Sequence, residues 1–283
     1  MSFGANQGLK VITFKVSISA TGPSGKTTAN FDIVQHAPIK MAIFGDSVAY
    51  QDSPEVARSL SAANPDIQLT TQVWPGINIC FWRDSIAKTL RQERPIAVIL
   101  QFEGFGAGSC AKDADPNTVS YSDQDVKQIK STYAAEISIL LKRGVGLVEI
   151  VPLPIRYRDN PVDIVHDDLM RHTLLDVVTA ASSSKVIYGD AGSSLLDDQG
   201  HYTKTLPCLA KEKTAAGHCW GPIIDGVPAN YVRADDGVHL CNVFWPTTGT
   251  TPRTGCPGYG YSSGAFRMGK AIAAPILSFF SWA

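Results

Sequence analysis

The sequence has almost no excess of charge of either sign. It contains 25 Lys and Arg against 26 Asp and Glu, and its formal net charge is -1. The basic residues are scattered and form no run. A protein that binds nucleic acid or an anionic membrane through charge needs a concentrated basic surface. The composition therefore predicts no nucleic-acid partner.

Long hydrophobic runs are also missing. No apolar stretch reaches the length of about 18 residues that crosses a bilayer, so we predict no transmembrane segment. The first residues have neither the basic nor the apolar region of a secretory signal peptide. With 283 residues, of which 44% are hydrophobic, the chain can still bury one large core.

None of the six cysteines lies in a Cys-x-x-Cys pair, the spacing typical of zinc sites. Their even number favours disulfides and an oxidising compartment, so we expect a secreted, periplasmic or cell-surface protein. Pairing each cysteine with its neighbour gives Cys80–Cys110, Cys208–Cys219 and Cys241–Cys256, although sequence does not choose among pairings. Buried free thiols, or a zinc site that uses Cys208, His218 and Cys219, are the alternatives.

Two strand-like segments, 9–19 and 27–34, flank a turn signal that begins at Thr21 and predict a β-hairpin. A lone hairpin is marginal in water, so we expect it to pack on the rest of the chain or to belong to a larger β-domain. The predicted organisation is an N-terminal hairpin extension over 1–37 and a main domain over 38–283.

From residue 38, short apolar strands alternate with helices. The predicted strands are 39–44, 67–74, 96–102, 146–151 and 185–188, and the predicted helices are 53–63, 83–92, 123–143, 162–181 and 263–280. Apolar strands without alternation are typical of a parallel sheet that is buried on both faces. We therefore predict a three-layer α/β/α domain of the flavodoxin-like type, with ligands at the carboxyl ends of its strands.

Two short motifs carry chemistry. Gly45-Asp46-Ser47 follows the first strand of the main domain, and Asp236-Gly-Val-His239 precedes the last helix. A Ser at a strand end faces the ligand crevice, near a helix N-terminus that favours negative charge. An Asp three residues before a His folds back to orient the imidazole that activates a Ser. Asp235 stands one residue too far from His239, so we expect its loss to be tolerated.

On these motifs, residues 38–283 resemble the SGNH, or GDSL-like, hydrolases. The resemblance implies that Ser47 is the nucleophile and that Asp236 and His239 complete a triad. It also implies an oxyanion hole formed by the backbone N–H groups of Ser47 and Gly76. The motifs are most similar to those of a bacterial extracytoplasmic branch, which includes free-standing enzymes and domains fused to membrane acyltransferases.

One block departs from the family pattern. Where Gly-x-Asn-Asp is expected after the third strand, the chain has Gln101-Phe-Glu103-Gly104 and no Asn. Losing one oxyanion donor costs about 2.7–4 kcal/mol of transition-state stabilisation. Either Gln101 or a backbone N–H near Gly104 replaces the missing amide, or the enzyme is slow, or the protein is not a hydrolase in the usual sense. Arg156 and Arg158, at a strand end, are candidates for holding an anionic or sugar group, with a solvated surface position as the alternative.

The resemblance implies a serine esterase that hydrolyses acyl esters, such as acetyl esters of carbohydrate, without a cofactor or a metal ion. Its partner is a small-molecule or polysaccharide acyl ester. One alternative is an O-acyltransferase that uses the same triad on cell-surface polysaccharide, which leaves open that the chain is a fragment of a larger membrane-associated protein. Another is a non-catalytic carbohydrate-binding domain of the same fold.

Overall fold

The computed structural model of the protein describes residues 12–35, 37–102, 123–156, 161–213, 219, 221–241 and 261–281. Its helices are α1 (Ser47–Ala63), α2 (Arg83–Gln92), α3 (Asp123–Lys142), α4 (Pro161–Ala181) and α5 (Ser263–Phe279). Its strands are β1 (Ile12–Gly22), β2 (Gly25–Gln35), β3 (Ile39–Gly45), β4 (Ile67–Val73), β5 (Ala97–Gln101), β6 (Leu147–Val151), β7 (Val186–Tyr188), β8 (Thr205–Pro207), β9 (Ile223–Ile224) and β10 (Val227–Tyr231).

The centre of the protein is a five-stranded parallel sheet in the order β4-β3-β5-β6-β7. Counting only these five strands along the chain, the order is 2-1-3-4-5, the flavodoxin-like arrangement. The strand order reverses beside β3, and a crevice opens at the carboxyl ends of strands at such a point. The predicted α/β fold with its central parallel sheet is confirmed.

Helices cover both faces of this sheet. The strands β3, β5 and β6 are buried along most of their length because each face of the sheet packs against helices. On one face, Ile43 and Ile99 share a core with Leu60 of α1 and Ile272 of α5. The other face packs against α2, α3 and α4, as Leu174 of α4 illustrates. Each such side chain contributes about 1.5–3 kcal/mol on burial, so the sheet is a rigid support for the residues at its edge.

The helix α1 begins six residues earlier than the sequence pattern predicts. Pro is common in the first turn of a helix, and a helix that starts at Ser53 would have Pro54 in that turn. In the structure, Pro54 lies inside the helix, and Asp46 caps a start at Ser47 by accepting a hydrogen bond from the Val48 N–H. The difference matters because it places Ser47 at the first position of the helix.

The predicted N-terminal hairpin is present as β1 and β2, which pair antiparallel from Ile12–Gln35 to Gly22–Gly25. The two strands contact chiefly each other. On the apolar face of the hairpin, Ile18 is 55% exposed and Phe31 is 42% exposed. The domain boundary at residue 37 stays a prediction.

Within the loop-rich segment 189–262, the described residues contain a small antiparallel sheet in the order β8-β10-β9, which sequence patterns did not predict. Its strands are only two to five residues long, too short to produce a periodic signal. None of the described helices combines the length and the apolar character that a membrane span requires.

Candidate active site

Ser47 lies where β3 turns into α1, at the carboxyl edge of the sheet. The side chain of Asp46 fixes this turn, since its Oδ1 accepts a hydrogen bond from the Val48 N–H at 3.0 Å. Position 45 requires Gly because the backbone there lies against Ala49, and an added Cβ would lie 2.2 Å from the Ala49 Cβ. The turn therefore presents Ser47 at the edge where proteins with parallel sheets bind their ligands.

The backbone N–H of Ser47 is a free donor at this edge. As the first residue of α1, Ser47 has no acceptor within the helix. No group in the described ranges accepts a hydrogen bond from it. The partial positive charge of a helix N-terminus favours an anion at this place.

The turn from Trp74 to Ile77 contains Gly76, whose backbone N–H is the second donor that the family resemblance implies. The Ile77 N–H donates to the Trp74 carbonyl at 3.3 Å, and the Trp74 N–H donates to the carbonyl of Gly45 at 3.0 Å, which ties this turn to the turn that carries Ser47. Pro75 and Gly76 occupy its central positions, and the φ of +75° at Gly76 is that of a type II turn. A Cβ at Gly76 would meet no atom within 4 Å, so this residue faces open space.

Asp236 and His239 lie in the loop after β10. Asp236 Oδ2 is 2.8 Å from His239 Nδ1, while Asp236 Oδ1 accepts the N–H groups of Val238 at 3.0 Å and His239 at 2.9 Å. Burial raises the pKa of Asp236, but hydrogen bonds from the His239 ring and from these two backbone groups outweigh burial and hold the pKa well below its usual range. Asp236 is therefore ionised at neutral pH and accepts a hydrogen bond from the Nδ1–H of His239.

His239 joins this loop to Ser47. Its Nε2 is 3.0 Å from Ser47 Oγ, across 192 residues of sequence. Because the Nδ1–H of a neutral ring points at Asp236, Nε2 carries the lone pair and Ser47 donates to it. The structure thus brings Ser47, His239 and Asp236 into one hydrogen-bonded chain, the geometry that general-base activation of a Ser requires.

Asp235 does not take part in this chain. Its carboxylate forms an ion pair with Lys204 on the exposed side of the loop. The two adjacent carboxylates therefore have different surroundings, and only Asp236 contacts the imidazole.

Gln101 does not supply the missing oxyanion donor. Its side chain is fully buried, and its Nε2 donates to Asp52 Oδ2 at 2.7 Å. Burial raises the pKa of Asp52 well above its usual range, with a smaller contribution in the same direction from the charge of Asp46, and the Gln101 hydrogen bond opposes both. A side chain enclosed between β5 and α1 offers nothing to a ligand. Glu103 and Gly104 lie outside the described residues.

The arginine expected in the crevice or at the surface is in neither place. Arg156 is only 3% exposed and pairs with the buried carboxylate of Asp167, which also accepts the Arg156 N–H at 3.0 Å. This pair ties the loop after β6 to α4, a structural task. Arg158 lies outside the described residues.

Two buried residues next to the site have no clear sequence motif. Gln51 lies on α1 four residues after Ser47, so the helical spacing is its only signal. Its amide bonds both backbone groups of Leu240. Arg233 is fully buried, and its guanidinium donates to the carbonyl of Val238. These contacts flank His239 on both sides.

Cys208 and Cys219 form a disulfide with their Cα atoms 5.8 Å apart, the pairing that neighbour spacing predicts. Sulfurs joined in this way are no longer thiolate ligands, so the zinc alternative is wrong. Cys80 and Cys241 are also disulfide-bonded. The cysteines predicted to pair with them, Cys110 and Cys256, lie outside the described residues. No group of three or more His, Cys, Asp or Glu side chains in the described ranges is arranged to hold a metal ion.

The fold that carries this site is that of the SGNH/GDSL-like hydrolases. No protein-family model and no curated protein sequence matches the chain. Among solved structures, a catalytic mutant of Axe2, an acetylxylan esterase from Geobacillus stearothermophilus, is 11% identical with a TM-score of 0.50, over 87% of this chain and 97% of its own.

Two further solved structures are similar. Another mutant of Axe2 from the same organism, described as an acetyl-xylooligosaccharide esterase, is 11% identical with a TM-score of 0.50, over 86% of this chain and 94% of its own. LAE5, an α/β hydrolase enzyme from the metagenome of Lake Arreo in Spain, is 13% identical with a TM-score of 0.49, over 87% of this chain and 96% of its own. At these identities, the likeness is one of fold.

Proposed function

We propose that the protein is a serine hydrolase of carboxylic esters. Ser47 is the nucleophile, His239 the general base and Asp236 the residue that orients it. One observation carries this proposal: the continuous hydrogen-bonded chain from Ser47 through the His239 ring to Asp236, with distances of 3.0 and 2.8 Å. A non-catalytic domain has no need of this arrangement, so it also argues against the carbohydrate-binding alternative.

The geometry supports the following reaction. His239 Nε2 takes the Ser47 proton while Oγ bonds to the ester carbonyl carbon, and the carbonyl electron pair moves to its oxygen. The tetrahedral intermediate collapses, the bond to the alcohol oxygen breaks, and His239 returns the proton to that oxygen. Water then repeats the sequence on the acyl-Ser47 ester. The net change is one ester and one water converted to one acid and one alcohol.

The intermediate needs donors for its negative oxygen. The N–H groups of Ser47 and Gly76 fit this role, because neither is bonded within the described ranges and both belong to turns at the same edge of the sheet. Donors that are held in place before the reaction pay no reorganisation cost during it.

The substrate we propose is a short acyl ester, in particular an acetyl ester, of a carbohydrate. Two large aromatic side chains on the segment that carries Gly76 support a sugar: Trp74 is 65% exposed and Phe81 is 60% exposed. Exposed apolar surface beside a site marks contact with a ligand, and aromatic rings suit the apolar face of a sugar ring. The same fold supports an esterase of acetylated xylan.

We also propose that the protein works in an oxidising compartment, outside the cytosol or at the cell surface. The described cysteines Cys80, Cys208, Cys219 and Cys241 are all disulfide-bonded. Such bonds persist where thiols are not kept reduced. The main domain over 38–283 would carry the activity and the hairpin over 1–37 would not.

The test is hydrolysis of p-nitrophenyl acetate, with butyrate and octanoate esters in parallel, by wild type and Ser47→Ala. We expect Ser47→Ala to lower kcat roughly 10⁵-fold or more. Ser61→Ala, an exposed position on the same helix, is the matched control and keeps full activity. Equal activity of Ser47→Ala and wild type would refute the proposal.

An acyltransferase gives a different result in the same assay. Adding an oligosaccharide acceptor would then raise p-nitrophenol release and yield acylated sugar in excess of free acetate. For a hydrolase, free acetate matches p-nitrophenol with or without the acceptor. Mass spectrometry of the sugar separates the two outcomes.

A further inference from the structure

His239 lies between two residues whose backbone is held by buried side chains. On its N-terminal side, the carbonyl of Val238 accepts a hydrogen bond from Arg233 Nη1 at 3.0 Å. On its C-terminal side, Gln51 bonds both backbone groups of Leu240. The imidazole is therefore attached to a backbone with an anchor on each side.

The Gln51 anchor joins the base directly to the nucleophile helix. Gln51 Oε1 accepts the Leu240 N–H at 2.9 Å, and its Nε2 donates to the Leu240 carbonyl at 3.3 Å. The Gln51 side chain is only 3% exposed, so no water competes for these bonds. One helical turn separates Gln51 from Ser47, and one peptide bond separates Leu240 from His239. This is a short and stiff connection between the two reacting groups.

The Arg233 anchor joins the same loop to the sheet. The second terminal nitrogen of Arg233 donates to the carbonyl of Ile155, which follows β6, at 2.6 Å. Arg233 also forms an antiparallel bridge with Leu240. Desolvation by burial lowers the pKa of Arg233 to about 10, so the guanidinium stays charged at neutral pH. Arg233 thus holds the loop on the sheet side, and Gln51 bonds it to α1.

We propose that Gln51 is a positioning residue that sets the distance between Ser47 and His239 by holding Leu240 to the nucleophile helix. This inference rests on the proposed function, since it assigns Gln51 a task in the same reaction. The two bonds of Gln51 to Leu240 go to backbone groups one residue beyond His239, so we expect Gln51 to act through the placement of the imidazole. Its loss should change the rate of the chemical step and leave substrate binding intact.

The test begins with Gln51→Met, which keeps the length of the side chain and removes both hydrogen bonds. A displacement of about 1 Å of a catalytic group costs about 100-fold in rate, so we expect kcat for p-nitrophenyl acetate to fall 10- to 100-fold with KM unchanged within about twofold. Gln68→Met, at an exposed glutamine of β4, is the matched control. Gln51→Asn keeps the amide but is one methylene too short, and serves if Gln51→Met does not fold.

A double-mutant cycle separates positioning from general loss of structure. In the His239→Ala background, residual hydrolysis no longer depends on where the imidazole sits, so adding Gln51→Met should cause no further loss. A structural role would lower activity by the same factor in both backgrounds. Thermal unfolding of each variant checks that the fold is intact.

The outcomes are distinct. A loss of kcat in the wild-type background that vanishes in the His239→Ala background establishes the positioning role. Wild-type kcat in Gln51→Met, or equal losses in both backgrounds, overturns it while leaving the proposed function in place. Full activity of Ser47→Ala in the same assay overturns the proposed function and this inference with it.

Discussion

The adjacent carboxylates Asp235 and Asp236 provide a matched pair of substitutions to Asn. In Asp236→Asn, the side-chain carbonyl can still accept the N–H groups of Val238 and His239, so the loop keeps its shape. The new NH₂ group then faces His239 Nδ1, which must become an acceptor. The ring proton moves to Nε2, the atom that has to receive the Ser47 proton.

The expected magnitude follows from this change of tautomer. A triad whose imidazole is held in the wrong tautomer loses about 10⁴-fold in kcat, equivalent to about 5.4 kcal/mol of transition-state stabilisation. Asp235→Asn removes only an exposed ion pair with Lys204, which is worth about 0–1 kcal/mol in stability and nothing in the chemical step. Its kcat should stay within about twofold of wild type.

The assay is p-nitrophenyl acetate hydrolysis at pH 8, with thermal unfolding of each variant as a check on the fold. The reasoning fails if the two variants lose kcat equally, or if Asp236→Asn retains more than about a tenth of wild-type kcat. Loss of activity in Asp235→Asn alone would mean that the carboxylate contacting His239 during catalysis is the other one.

Three further predictions concern stability. Gly45→Ala would place a methyl group 2.4 Å from the Gln101 carbonyl, so we expect a loss of about 3 kcal/mol or more in urea unfolding, and a wild-type midpoint would contradict this close approach. Glu149 is buried and has no hydrogen-bond partner in the described ranges; burial raises its pKa well above the usual range, so the folded protein holds a proton that the unfolded chain releases as pH rises through about 4.3. Glu149→Met should therefore raise the Tm at pH 8 and raise it less at pH 4, and the opposite trend would show that Glu149 is charged in the fold. Replacing both Cys208 and Cys219 by Ser opens a loop of 11 residues and should cost about 3 kcal/mol, while an unchanged unfolding midpoint would rule out this bond in solution.

Local sequence was sufficient for most of the fold. The apolar runs that form β3, β5 and β6 predicted buried parallel strands. Successive side chains of a strand point to opposite faces, so an unbroken apolar run fits only a sheet that is covered on both faces. The spacing of Asp236 and His239 was also informative, since a carboxylate three residues before an imidazole folds back within a single turn. Both signals come from residues that are close in sequence, where backbone geometry alone decides which side chains meet.

The start of α1 shows where local signals compete. Pro54 favoured a later start, whereas the Asp46 cap and the packing of α1 against α5 extend the helix back to Ser47. The gain from burying one face of the helix exceeds the cost of one missing backbone hydrogen bond. That outcome depends on tertiary contacts, which propensity does not contain.

Only the tertiary structure decided which distant residues meet. The 3.0 Å contact between Ser47 and His239 spans 192 residues, the enclosure of Gln101 depends on the position of Asp52, and Arg156 was buried by Asp167 rather than exposed at the crevice. The residues of the hydrogen-bonded chain from Ser47 to Asp236 could be picked out of the sequence because their motifs are local. The buried polar side chains that surround this chain could not, because their partners are backbone groups, and any residue type can present a carbonyl or an N–H.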